Sequence, residues 1–184
     1  MEKYSDQQLI SLYLKGDEKS LEVLIKRYLK QIYGFTYKYV KDPQNAEDIT
    51  QEVFVKVWKN IRRFNKQKDF KPWIYTIARN ASLDFLKKKR PVLFSELENG
   101  KDFADNIRDK SLLPDKLAEQ LDINKVLMSE MDKLSVKYRL VLSMYYKDCF
   151  NFREISKILG ESINTVKSRH RRGLLLLRQF VSKS

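Results

Sequence analysis

The stretch Asn151-Phe152-Arg153-Glu154-Ile155-Ser156-Lys157-Ile158-Leu159-Gly160-Glu161-Ser162-Ile163-Asn164-Thr165-Val166-Lys167-Ser168-Arg169-His170-Arg171-Arg172 decides the fold. Phe152, Ile155, Ile158 and Leu159 share one side of a short helix, with Asn151 as its cap and Glu154 three residues on. Gly160-Glu161-Ser162 makes a tight turn, and Ser162 caps a second helix reaching about Phe180. Ile163, Val166, His170, Leu174 and Leu177 mark its inner face. Short helix, glycine turn and longer helix together have helix-turn-helix spacing. The outer face carries Asn164, Thr165, Lys167, Ser168, Arg169, Arg171 and Arg172, side chains suited to base edges and phosphates in a major groove. Ser162 also leaves the first-turn N–H groups aimed at an anion. Lys167, Ser168 and Arg171 are the expected base readers, and Arg169 and Arg172 the expected phosphate contacts. His170 falls on the inward row, so it is read as a packed or rim histidine. Cys149, just upstream, is read as a small buried residue.

Charge supports a polyanionic partner. The 184 residues hold 37 Lys plus Arg against 24 Asp plus Glu, a net +13. That excess is not uniform: residues 1–90 carry +9, residues 91–120 carry −3 and residues 121–184 carry +7. Two basic blocks flanking an acidic stretch suit a nucleic acid or an anionic surface. One cysteine and one histidine exclude an internal disulfide, a thiolate metal cage and a multi-histidine metal site. No cofactor or metal is expected. The polar N-terminus, Met1-Glu2-Lys3-Tyr4-Ser5-Asp6, lacks the apolar core of a signal peptide, and no apolar run has the length of a membrane span. The expected location is the cytoplasm, without membrane insertion.

Outward from the C-terminal motif, the pattern is helical throughout. Ser5 and Gln8 make a capping box for a first helix that Gly16 closes. Leu21, Leu24, Ile25, Tyr28, Ile32 and Phe35 give a second helix from about Glu18. Asp42 caps a third, with Pro43 at its first position. Ile49, Val53 and Val57 form its buried row, widened by Phe54, Trp58 and Ile61. A fourth starts near Pro72 and buries Ile74, Ile77, Ala78, Ala81 and Phe85, ending in Lys87-Lys88-Lys89-Arg90. Trp73, beside that row, is read as core rather than as a stacking wedge. Pro91, Asn99-Gly100, Asp105-Asn106 and Pro114 punctuate a linker. Further helices are expected from about Asp115 to Lys133 and from Ser135 to Lys147. The fold class is therefore all-α. Two small helical domains, 1–90 and 115–184, are joined by a flexible acidic linker, 91–114, and the second contains the helix-turn-helix.

At this point the chain resembles a family. Asn164-Thr165-Val166-Lys167-Ser168-Arg169 with Arg171-Arg172-Gly173 is similar to the promoter-reading end of extracytoplasmic-function (ECF) sigma factors of the sigma-70 family. Asp48-Ile49-Thr50-Gln51-Glu52-Val53-Phe54 resembles that family's polymerase-binding helix. Phe70-Lys71-Pro72-Trp73-Ile74-Tyr75-Thr76-Ile77-Ala78-Arg79-Asn80, followed by Asp84, resembles its promoter-melting segment. The resemblance implies a promoter-specific initiation factor and not an enzyme. The first domain (region 2) would bind core RNA polymerase and the minus-ten element. The second (region 4) would read the minus-thirty-five element. Asp48, Gln51 and Glu52 would grip the clamp helices of the largest polymerase subunit, an assignment their acidic, hydrogen-bonding chemistry suits. The flap of the other large subunit would meet the second domain, and an anti-sigma factor is a candidate regulator.

Minus-ten DNA would meet Phe64, Asn65, Lys66, Lys71, Arg79, Asn80 and Lys87. The loop Phe64–Phe70 sets polar groups between two aromatics, a composition able to receive an unstacked base. It lacks the glycine that often follows the first Phe-basic pair in the family. Asn80, Asp84 and Lys87 share a helix face. The acidic linker has two readings, an RNA mimic in the polymerase cleft or a soluble tether. A phosphorylation-controlled regulator would need an α/β receiver, and a serine recombinase a strand-borne nucleophile with an arginine cluster. The helical N-terminal half offers neither.

Overall fold

The computed structural model describes residues 4–89 and 130–181. The linker 91–114 and most of the helix expected over Asp115–Lys133 lie outside the described residues; of that helix, residues 130–133 are helical. Every regular element among the described residues is a helix, and the chain divides into two compact units.

The first unit contains α1 (Asp6–Leu14), α2 (Glu18–Val40), α3 (Pro43–Asn60), a 3-10 turn (Ile61–Arg63) and α4 (Phe70–Lys89). The capping box at α1 is complete: Ser5 Oγ accepts from the Gln8 N–H at 3.2 Å, and Gln8 Oε1 accepts from the Ser5 N–H at 2.8 Å. Gly16 follows in the left-handed region, with φ +105°. Asp6, at the start of α1, accepts from Tyr28 Oη and pairs with Arg27 at 2.5 Å, tying α1 to α2. Asp42 caps α3 by accepting from the Asn45 N–H at 2.7 Å.

Leu21, Leu24, Tyr28, Ile32 and Phe35 on α2 are buried, as are Ile49, Val53, Phe54 and Val57 on α3. From α4 come Phe70, Ile74, Tyr75, Ala78 and Ala81. Where α2 meets α3, the Thr36 and Thr50 hydroxyls lie 3.0 Å apart and both donate to the Ala46 carbonyl, so two buried polar groups are satisfied. An aromatic cluster joins α2, the loop and α4. Phe70 packs edge-on against Tyr28 at 5.3 Å and Phe64 at 5.8 Å, and Trp73 lies 4.9 Å from Phe64. Helix α4 thus starts at Phe70, two residues before the expected Pro72, because that ring is already a core residue.

Trp58 does not widen the α3 core. It is 57% exposed. Its i+4 relation to buried Phe54 suggested burial, but the helices packed on α3 cover the Ile49, Val53 and Val57 row and leave this flank to solvent.

The second unit is built on α5 (Val136–Tyr146), the first half of α6 (Phe152–Leu159) and α7 (Ile163–Val181). Leu134, Tyr138, Leu142 and Leu177 form a buried cluster, backed by Leu174 and Phe180. Gly173 lets α7 approach α5. A Cβ there would stand 3.1 Å from Leu142 Cδ1 and 3.3 Å from Tyr138 Cβ. Cys149 is exposed, contrary to the sequence expectation. It adopts φ +57° just after α5, and the next N–H, from Phe150, donates to the Met144 carbonyl at 2.9 Å. The helix itself closes earlier, with the Lys147 and Asp148 N–H groups on the Ser143 carbonyl at 2.9 and 3.0 Å, and the left-handed cysteine then turns the chain. Phe150, not Cys149, is the residue turned into the core.

Phe70→Ala should remove the centre of the aromatic cluster and cost about 3–5 kcal/mol. Both tryptophans, Trp58 and Trp73, lie in the first unit. Denaturant unfolding followed by tryptophan fluorescence therefore reads that unit alone, and an unchanged midpoint would contradict the packing argument.

Candidate protein- and DNA-binding surfaces

Three surfaces bring the singled-out residues together, two in the first unit and one in the second. On α3, Asp48, Gln51 and Glu52 are all exposed. Their spacing puts them on one face, because helix neighbours lie three and four residues apart. Glu52 pairs with Lys56 at 2.7 Å, an exposed i,i+4 bridge of small energetic weight. The same face continues into Val55, 48% exposed, and Trp58. A carboxylate end followed by uncovered apolar side chains has the make-up of a protein-docking helix face. Val55 and Trp58 were missed in the sequence because apolar residues on a helix read first as core.

The second surface surrounds the start of α4. Phe64 is 8% exposed and Phe70 2%, so these rings anchor the two ends of the loop Asn65–Asp69, whose residues are all exposed. Phe64 therefore offers no free face for a base; its ring is spent on Phe70 and Trp73. Asn65 shapes the loop from within, accepting from the Gln67 N–H at 2.9 Å, while its carbonyl accepts from the Lys68 N–H at 2.9 Å. Such an Asx turn holds the backbone without glycine. Lys66 and Lys68 point to solvent, and Lys71 is half-buried at the helix start.

Beside the loop is a groove of about 460 Å³ lined by Lys56, Asn60, Arg63, Trp73, Ile77 and Asn80. Trp73 is half-buried, so it serves both the core and the groove wall. Asn80 is exposed, and its side-chain oxygen accepts from the Arg79 guanidinium at 3.1 Å, which orients the amide. Asp84 and Lys87 continue this exposed face, as their spacing predicts. Lys56, Asn60 and Arg63 were missed: they come from α3 and the 3-10 turn, and only tertiary packing brings them to Asn80. The groove combines an indole, an aliphatic wall, two cations and two amides, the chemistry needed to hold a planar base and a phosphate.

The third surface is the helix-turn-helix. Asn151 and Glu154 form a complete capping box at α6, at 2.8 and 3.0 Å. Gly160 turns the chain with φ +66°. Ser162 Oγ accepts from the Thr165 N–H at 3.0 Å and lies 2.8 Å from Thr165 Oγ1. These two hydroxyls hold each other at the start of α7. Val166, Gly173 and Leu177 are buried on the inner side, whereas Asn164, Lys167, Ser168, Arg171 and Arg172 are exposed and Arg169 is half-buried. Ile163, expected on the inner face, is 37% exposed at the first helical position.

His170 is packed, as its row predicts. Its ring meets Tyr145 at 4.8 Å, Phe152 at 5.1 Å and Tyr146 at 5.5 Å, and its buried Nε2 has no hydrogen-bond partner. Burial holds its pKa below the ordinary histidine value of 6.5. The folded unit then binds fewer protons than the unfolded chain. This contribution to stability is fully present above about pH 6.5 and is lost as pH falls toward the folded-state value. The single histidine should give an NMR ring titration with a midpoint below 6.5. The unfolding temperature of the second unit should drop over the same range, and His170→Gln should flatten that drop. A midpoint at or above 6.5 would contradict the assignment.

Among the described residues there is no cluster of metal-ligating side chains, and no helix is long and apolar enough to cross a membrane. The chain matches the Sigma-70 region 2 family over residues 24–92 and the Sigma-70 region 4 family over residues 124–177. It is 31% identical over 169 residues to the ECF RNA polymerase sigma factor SigW of Bacillus subtilis, covering 90% of each chain. It is also 31% identical to SigM of the same organism, over 81% of this chain and 87% of the relative. Among solved structures, the sigma factor RpoE in complex with the anti-sigma factor NepR from Bartonella quintana shares the fold, with a TM-score of 0.63 at 21% identity, over 89% of this chain and 98% of that one. CnrH in complex with the cytosolic domain of CnrY gives 0.66 at 18% identity, over 97% and 98%. With region 2 and region 4 in order and two relatives matched along most of their length, the chain belongs to the ECF RNA polymerase sigma factors.

Proposed function

We propose that the chain joins core RNA polymerase in the cytoplasm and directs promoter-specific transcription initiation, acting as a binding factor and not as an enzyme. The observation that carries this reading is the charge contrast between two surfaces of the first unit, which adjoin at the Glu52–Lys56 ion pair. The α3 face bears Asp48, Gln51 and Glu52, whereas the loop and groove bear Lys56, Arg63, Lys66 and Lys71. DNA phosphates repel the first surface and attract the second, so one small unit can hold a protein and a nucleic acid at once.

In this reading the α3 face docks on the clamp helices of the largest subunit. Region 2 corresponds to residues 1–90 and region 4 to residues 115–184, joined by 91–114. The second unit also meets the polymerase flap, and an anti-sigma factor competes for these same surfaces. The test is reconstitution with sigma-free core polymerase and mapping of the transcript starts. Asp48→Lys with Glu52→Lys should abolish core binding with helicity intact, because both positions are exposed. Unchanged affinity would overturn the α3 assignment.

The groove beside Asn80 is the proposed receptor for an unstacked base of the minus-ten element. Trp73 and Ile77 supply its walls, Asn80 the hydrogen-bonding edge, and Lys66, Lys71, Arg79 and Lys87 the surrounding positive potential. Phe64 fixes the loop instead of stacking on the base. Asn80→Ala should slow open-complex formation and relax preference at one base, while core binding is unchanged. Permanganate reactivity of the melted strand reads this directly; normal opening with intact selectivity would exclude the role. Helix α7 is the proposed reader of the minus-thirty-five element, with Lys167, Ser168 and Arg171 at base edges and Arg169 and Arg172 on phosphates.

A further inference from the structure

The first turn of α7 carries a residue that the donor-based reading leaves out. A recognition helix contacts base edges mainly through its N-terminal residues. Here those residues are Ser162, Ile163, Asn164 and Thr165. Ser162 and Thr165 are engaged with each other, hydroxyl to hydroxyl at 2.8 Å, in the cap that starts the helix. That leaves Ile163 and Asn164 to project from the leading end of α7. Asn164 is exposed, and Ile163 keeps 37% of its surface open to solvent although it is a large aliphatic residue. The next inward position, Val166, is fully buried, so the inner stripe is already closed without Ile163. Every exposed residue from 164 to 172 is polar or cationic, which makes Ile163 the apolar exception on the DNA-facing end of the helix.

In the major groove, each base pair shows hydrogen-bonding groups, but only thymine shows an apolar one, its C5-methyl. An aliphatic side chain at a helix start aimed into the groove has that methyl as its natural counterpart. The neighbouring amide of Asn164 suits the N6 and N7 edge of adenine.

We propose that Ile163 is a specificity-determining residue that reads the methyl group of a thymine in the minus-thirty-five element. The proposal rests on α7 being the helix that enters the major groove. Contact with one buried methyl predicts about a fourfold gain in affinity.

Polymerase holoenzyme containing the full chain selects a duplex from a randomised minus-thirty-five library. Each thymidine of that duplex is then replaced in turn by deoxyuridine, which removes the methyl and leaves pairing unchanged. The wild-type chain should lose about fourfold at one thymine and little at the others. With Ile163→Ala, the loss at that thymine should vanish, while Lys167→Ala should retain it. Sequence preference without any deoxyuridine-sensitive position overturns the proposal, as does a sensitivity that persists unchanged in Ile163→Ala. Absence of any preference between selected and scrambled duplexes overturns the minus-thirty-five reading of α7 itself, and the methyl contact with it.

Discussion

Phe70 sits where three parts of the first unit converge. Its ring packs edge-on to Tyr28 of α2 and to Phe64 at the end of the 3-10 turn, and lies 5.5 Å from Trp73 one turn further along α4. Burial of Phe64 and Phe70 fixes both ends of a five-residue loop, and the Asn65 turn fixes its middle. The exposed loop is thereby short, anchored and polar, which limits the conformational entropy lost when a ligand orders it. The same packing tilts Trp73 so that part of its indole closes the core and part lines the groove. Stability and recognition in this unit therefore share one aromatic cluster, and a substitution at its centre disturbs both.

The second unit solves a different problem with α7. One stripe of that helix must bury Val166 and Leu177 and bring Gly173 against Leu142, while the remaining face stays polar. The helix can do both because its start is fixed independently of its packing. Ser162 satisfies the Thr165 N–H, and Gly160 sets the turn before it, so the leading end needs no covering layer. His170 marks the border between stripe and face. Its neighbour Arg171 is exposed and Arg169 half-buried, and its own ring is packed against Tyr145, Tyr146 and Phe152, an environment that favours the neutral form.

Most of this architecture was readable in the sequence where local chemistry announces itself. The Ser5–Gln8 and Asn151–Glu154 boxes, Asp42-Pro43, Gly16 and Gly160 each state a helix end in residue types that have a physical reason to be there. The turns at Lys41 and Cys149 were not readable, because both residues hold positive φ, at 52° and 57°, without being glycine or asparagine. The Phe150 N–H bond to the Met144 carbonyl and the burial of Phe150 accompany that conformation at Cys149, which also explains why a residue expected inside lies outside. The expected burial of Trp58 and Ile163 failed for a related reason. Helical periodicity gives the angle of a side chain but not whether a neighbouring element covers that angle. The Asn60, Arg63 and Asn80 groove was illegible for the same cause, since its walls come from separate helices.

Charge and specificity make separable contributions to the proposed function. A net +13 favours any nucleic acid through counterion release, an effect that depends on salt and ignores sequence. That term alone would hold the chain on random DNA. Two features work against it. The carboxylates of α3 disfavour DNA on their face, which suits the protein docking proposed for it. The proposed base-facing positions include neutral groups, Asn80 in the groove and the leading turn of α7, whose contacts depend less on salt than the cationic ones. In the proposed reading, discrimination between promoters rests on these neutral groups together with Lys167, Ser168 and Arg171 at base edges, while Arg169, Arg172 and the other cations on phosphates set affinity and arrival rate.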